Sequence, residues 1–139
     1  MPGFVSDVNS YLAHADLFVL ASRWEGFGHV IVEAMAAGLP VVATNCPYGP
    51  ADILRHNETG WLVPPEDAGA LAAAMAHCLA DRPDAKRIAA AGAKAAERYE
   101  AVRVAGEYAA TIRDTIARRK SPLARGKPAG RNLLDSAKL

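Results

Sequence analysis

Glu25 and Glu33 stand eight positions apart in the run Glu25-Gly26-Phe27-Gly28-His29-Val30-Ile31-Val32-Glu33, with two glycines within three residues of the first carboxylate. Glycines at such a place let backbone approach a ligand closely, because a Cβ would stand in the way. Upstream, Leu17-Phe18-Val19-Leu20 is a short apolar run of the kind a buried parallel strand requires. Downstream, Val30, Ile31, Ala34, Met35 and Ala37 recur at helical spacing until Gly38, which suits a helix stop. The unit reads as strand, glycine-bearing loop, helix. A helix start in this setting turns free N–H groups and a partial positive charge toward the crevice. With the helix beginning near Gly28, Glu33 lies about five residues along it, roughly 7 Å at 1.5 Å per residue. Glu25 stays in the loop. One carboxylate ahead of an anion-binding helix end and one behind it suit a diphosphate flanked by a sugar and a ribose.

The spacing of two glutamates alone carries little. The surrounding string carries more: Ser22-Arg23-Trp24-Glu25-Gly26-Phe27-Gly28 is followed by Glu33-Ala34-Met35-Ala36-Ala37-Gly38-Leu39-Pro40-Val41-Val42-Ala43. This resembles the E-x7-E region of the retaining GT-B glycosyltransferases, family 4 or "group 1" type. Gly3-Phe4-Val5-Ser6-Asp7 before it, and Gly49-Pro50-Ala51-Asp52-Ile53-Leu54 and Thr59-Gly60-Trp61-Leu62-Val63 after it, resemble neighbouring segments of that family in the same order. The resemblance runs from about residue 3 to about residue 82.

The resemblance implies the following. The fold class is α/β, a partial Rossmann-like parallel sheet with C-terminal helices, corresponding to the C-terminal part of a GT-B fold. Glu25 is the catalytic-site residue that meets the hydroxyls of the donor sugar. Gly26, Phe27 and Gly28 bring backbone N–H groups to the sugar and diphosphate, and Glu33 accepts hydrogen bonds from the ribose. The donor is a nucleotide-diphospho-sugar, UDP-linked by expectation, and the sugar passes with retention to a glycan or lipid-linked acceptor. No D-x-D pair occurs in the chain, so no metal site and no cofactor are expected. The departing diphosphate is then stabilised by a helix end and basic side chains. In the family those cations, an Arg and a Lys, and the acceptor-binding domain come from upstream segments. The chain is therefore expected to be a donor-binding fragment, inactive alone, whose partner is a missing N-terminal acceptor domain or a separate subunit. Asp52 departs from the family pattern, which has Glu after Gly-Pro-x. An alternative function class is a non-catalytic nucleotide-sugar-binding module or one subunit of a split glycosyltransferase. A GT-B epimerase reading leaves the Glu-Gly-Phe-Gly string unexplained.

Composition fits a globular body. Hydrophobic residues make up 51% of the chain, and no apolar run reaches the roughly 18 residues that span a bilayer. A cytoplasmic location is expected. Cys46 and Cys78 lie far apart with no C-x-x-C, which suggests neither zinc nor a disulfide framework. Charge is unevenly placed. Residues 118–139 hold seven of the 16 Lys/Arg and one of the 15 acids, so that segment is +6 and the rest −5. The expected organisation is a partial nucleotide-sugar-binding domain over 1–118 and a basic, disordered tail over 119–139. The tail invites peripheral contact with anionic lipid, and no nucleic-acid partner is expected.

Along the chain, Ser6 or Asp7 caps a helix ending at Ala13, Leu17–Leu20 and Val41–Thr44 are strands, and His29–Ala37 is a helix. Pro50 starts a single turn to Arg55, His56–Gly60 is turn chemistry, and Trp61–Val63 is a strand. Glu66 and Asp67 open a helix with Leu71, Met75, Cys78 and Leu79 on one face. Asp84–Arg98 and about Val102–Arg118 are two more helices, the second with a core-facing stripe of Ala105, Tyr108, Ile112 and Ile116. His29 is read as an exposed helix-start position without a ligand, since the dipole there disfavours a protonated imidazole. Asn57-Glu58-Thr59 is read as a turn rather than a glycosylation site.

Overall fold

A computed structural model describes residues 3–120. They fall into two units, one running up to Glu100 and one beginning at Ala101. The first unit follows the order α1 (Val8–Ala13), β1 (Phe18–Leu20), α2 (His29–Ala36), β2 (Val41–Thr44), α3 (Pro50–Ile53), β3 (Trp61–Val63), α4 (Ala68–Ala80) and α5 (Arg82–Ala96), closing on a 3₁₀ turn, Glu97–Tyr99. The second unit is described as α6 (Ala101–Lys120). The expected basic tail from residue 119 lies outside the described residues apart from the end of α6.

All three strands are parallel and ordered β1-β2-β3. Val19 sits opposite Val42, and Ala43 opposite Leu62. Val41 to Thr44 are all buried, as a strand covered on both faces demands. One side of the sheet is filled by Ile31, Ala34 and Met35 of α2 with Val41, Ala43, Ile53 and Leu54. Trp61, Val63, Cys78 and Ile88 pack with Val42 in a second cluster. The parallel sheet and its covering helices are the partial Rossmann-like arrangement expected from sequence.

Local chemistry sets the element ends. Asp7 accepts from Ser10 N at 3.0 Å and Asp67 from Ala70 N at 2.8 Å, each capping its helix. Helix α2 stops at Gly38, whose φ of +76° only glycine adopts without cost, and Leu39 N closes the turn onto Ala34 O at 3.0 Å. Expected core positions on two helices are instead exposed. On α4, Cys78 is buried while Leu79 is 44% exposed. One residue is a 100° step around a helix, and the contacts of α4 with β2, β3 and α5 cover a narrow stripe. On α6, Tyr108, Ile112 and Ile116 are 69%, 57% and 47% exposed, and Ala105 is exposed too, so this stripe is not core among the described residues.

Asp84, in the first turn of α5, accepts from Arg87 at 2.7 Å and 3.0 Å and lies 3.4 Å from His77 Nε2. The Arg87 hydrogen bonds, with those of His77, hold its carboxyl below the ordinary aspartate value of 3.8. A lowered folded-state value means stabilisation that is present above the unfolded value and lost as pH falls through the folded one. Asp84→Asn is therefore expected to melt slightly earlier than the parent at pH 7. The gap should close as the pH drops below 3.8, which thermal melts across pH 2–7 would check. Cys46 and Cys78 are free and buried, and burial pushes the Cys78 thiol up.

Candidate functional site

Parallel strands deliver their following loops to one edge, and ligands of open α/β sheets bind outside the carboxyl ends of the strands. Three loops meet that edge here: 21–28 after β1, 45–49 after β2 and 64–67 after β3. Glu25, Gly26, Phe27 and Gly28 all lie on the first, and Glu33 is the fifth residue of α2. The expected site residues are thus carried by one loop–helix unit at the carboxyl edge of the sheet.

The loop is tied down from beneath. Thr44, buried at the end of β2, donates its hydroxyl to Ser22 O. The Ser22 hydroxyl in turn donates to Glu25 Oε1 at 2.7 Å. Glu25 is half-buried and keeps its second oxygen for another donor. Gly28 is the N-cap of α2 in the left-handed conformation, φ +88° and ψ +48°, and no side chain caps the helix. The first amides of α2 therefore face the loop without a side-chain acceptor, the condition for holding an anion. Glu33 is exposed, and among the described residues its carboxylate has no hydrogen-bond or ion-pair partner. The opposite face of the same helix, Ile31, Ala34 and Met35, is fully buried. Burial of that face fixes which way Glu33 turns.

Phe27 is held on two sides. Gly49, at φ +89° on the loop after β2, lies against the Phe27 carbonyl so closely that a Cβ there would collide with it. The Phe27 ring meets Tyr99 edge-on, with centroids 5.5 Å apart at 74°, and His29 at 4.9 Å. Asp52, exposed on α3, is a first-turn acid whose carboxylate reaches back toward Gly49 N at 3.4 Å. Arg23 turns to Glu66 at 3.1 Å on the third loop, both largely exposed, a pair of little energetic weight. Sequence reasoning missed Thr44, Gly49 and Tyr99. A serine three residues ahead of Glu25 was the one local hint, pointing to a side-chain turn around that carboxylate. Among the described residues no three His, Cys, Asp or Glu side chains converge as metal ligands.

With this geometry in place, comparison with known proteins assigns the family. Residues 1–95 match the family described as Glycosyl transferases group 1. The chain belongs to the group 1 glycosyltransferases. It is 47% identical over 72 residues to the 2-deoxystreptamine N-acetyl-D-glucosaminyltransferase of Niallia circulans, covering 50% of this chain and 18% of that protein. It is 47% identical over 76 residues to the phosphatidyl-myo-inositol mannosyltransferase of Mycobacterium leprae, covering 55% and 20%. The fold is similar to HepE of Anabaena in complex with UDP, with a TM-score of 0.76 and 34% identity over 81% of this chain and 31% of that one. The chain thus spans about a fifth of the curated relatives and under a third of the solved structure. Among the described residues, no helix is long and apolar enough to cross a membrane.

Proposed function

We propose that this chain is the donor-binding part of a retaining glycosyltransferase that takes its sugar from a nucleotide-diphospho-sugar, UDP-linked by preference. The observation that carries this reading is the uncapped α2 N-terminus, with Glu25 before it and Glu33 on its exposed face, at the carboxyl edge of a parallel sheet. HepE, similar in fold, has been solved with UDP-glucose as well as with UDP, which supports the nucleotide assignment. Glu33 takes the ribose hydroxyls, the α2 amides take phosphate oxygens, and Glu25 takes hydroxyls of the sugar. Negative charge growing on the departing diphosphate is met by fixed N–H dipoles, which need no reorganisation as the bond breaks. The donor set asks for no metal.

Transfer itself is assigned to an assembly in which an acceptor domain or subunit supplies the acceptor site and further cations for the diphosphate. The chain by itself is expected to hold UDP weakly and to transfer nothing. Millimolar UDP titrated into the ¹⁵N-labelled chain should shift the amides from Gly26 to Glu33 above all others. A response confined to other segments, or none at all, would overturn the assignment. Measurable sugar transfer by the chain alone would overturn the division of labour. A chain that binds UDP yet restores no transfer when combined with an acceptor half would be a nucleotide-sugar-binding module instead.

A further inference from the structure

The 3₁₀ turn Glu97–Tyr99 ends the first unit, far along the chain from the loop at 21–28, yet its Tyr99 side chain reaches Phe27 of that loop. Tyr99 sets its ring edge against Phe27. Its hydroxyl faces Asp52 O at 3.4 Å. Arg98 donates to Asp52 O at 3.0 Å and to the Tyr99 hydroxyl, and its guanidinium carbon lies 4.6 Å above the Tyr99 ring. Asp52 lies three residues beyond Gly49, whose backbone abuts the Phe27 carbonyl. The contacts close a triangle: Phe27 ring to Tyr99, Tyr99 and Arg98 to Asp52 O, and the α3 N-terminus back to the Phe27 main chain.

Such a closed set constrains more than its separate members. Edge-to-face aromatic pairs have a preferred geometry, so Tyr99 selects one orientation of the Phe27 ring. Arg98 fixes Tyr99 by stacking on its face and bonding to its hydroxyl. Gly26, directly before Phe27, adds no packing of its own, with no atom within 4 Å of where a Cβ would lie, whereas Gly28 after it sits against Ile31 and Ile53. A loop of this kind keeps a ligand-ready shape when one well-packed side chain anchors it.

We propose that Tyr99 is a positioning residue for the donor loop, fixing Phe27 and through it the Gly26–Gly28 backbone, with Arg98 locking Tyr99 in place. Neither side chain touches the ligand in this role. The proposal rests on the donor reading for its effect on binding, but its effect on the loop stands without any ligand.

Hydrogen exchange on the chain itself tests it. Tyr99→Ala should speed exchange of the Gly26, Phe27, Gly28 and His29 amides by about tenfold relative to Val42 and Ala43 in the central strand. Tyr99→Phe keeps the ring and should recover most of that protection. Arg98→Ala, at an exposed position, should give an intermediate increase. UDP affinity should fall in the same order across the variants. In Phe27→Leu, the further change Tyr99→Ala should add little to loop exchange, since the ring it acts upon has gone. Proportional loss of protection at loop and central strand alike would show general destabilisation and overturn the proposal. So would multiplicative effects in the double variant. Loop exchange behaving as expected while UDP binds to none of the proteins would leave Tyr99 as a loop anchor and remove the donor reading instead.

Discussion

Gly49→Ala is expected to cost this protein about 3 kcal/mol or more of folding stability, the largest effect of any single methyl group at the candidate site. Two penalties combine. At φ +89° and ψ −70° the Gly49 backbone occupies a region that an L side chain adopts only under strain, worth about 1–3 kcal/mol. A Cβ there also meets the Phe27 carbonyl, which is main chain and cannot swing aside, and forced overpacking costs about 1–3 kcal/mol. Whole domains are stable by only about 5–15 kcal/mol, so a large share would be lost. For a domain of this size, Tm should fall by more than about 12 °C. Gly26→Ala is the control with the opposite signature. Its Cβ would meet nothing within 4 Å, so Tm should hold, while UDP-sugar binding should weaken because the methyl group obstructs the approach of the ligand. Thermal melts read beside UDP-sugar titrations separate the two. A Gly49→Ala protein melting within 2 °C or so of the parent would refute the close contact between the two loops.

That pair of glycines shows where the sequence was informative and where it fell silent. The elements could be read because their ends are written in local chemistry: Asp7 and Asp67 as caps, Gly38 as a stop, Pro50 as a first helical residue, and apolar runs of three or four residues for the strands. Placement of Glu25 and Glu33 was legible for the same reason, since strand, loop and helix are consecutive in the chain. The support beneath them was not. Thr44 is 22 residues from Ser22, and Tyr99 and Gly49 meet Phe27 from two further elements; no spacing rule relates such positions. Periodicity also overreached. It identified one apolar face on α6 correctly, but a face of Tyr108, Ile112 and Ile116 says only what would be buried if something covered it. Leu79 failed differently, because the buried stripe of α4 is narrower than its run of apolar residues. Asp52, read as a first-turn acid, matters in the structure through its carbonyl, which no side-chain pattern reveals.

Glu33→Ala should separate binding from folding more cleanly than any other substitution here. Glu33 is exposed and its carboxylate has no partner among the described residues, and surface changes away from special features stay within about 0.5 kcal/mol. Its proposed work is to accept ribose hydroxyls with an ionised carboxylate, and hydrogen bonds to charged groups are worth about 1.5–3 kcal/mol. At about 1.4 kcal/mol per tenfold, UDP affinity should drop by roughly tenfold to 150-fold with Tm unchanged. Glu25→Ala should behave otherwise. Glu25 is proposed to meet the sugar, so UDP should bind the variant nearly as well as the parent, while the added affinity of a UDP-sugar over UDP should disappear. The Ser22 hydroxyl loses its acceptor in that variant, a half-buried loss that water can make good. In the assembled enzyme the same change should fall on turnover, because contacts to the reacting sugar are those that strengthen toward the transition state. Titrations of both variants with UDP and with UDP-glucose decide the matter. Equal losses toward UDP would dissolve the assigned roles, and an unchanged UDP affinity in Glu33→Ala would remove the ribose from α2 altogether.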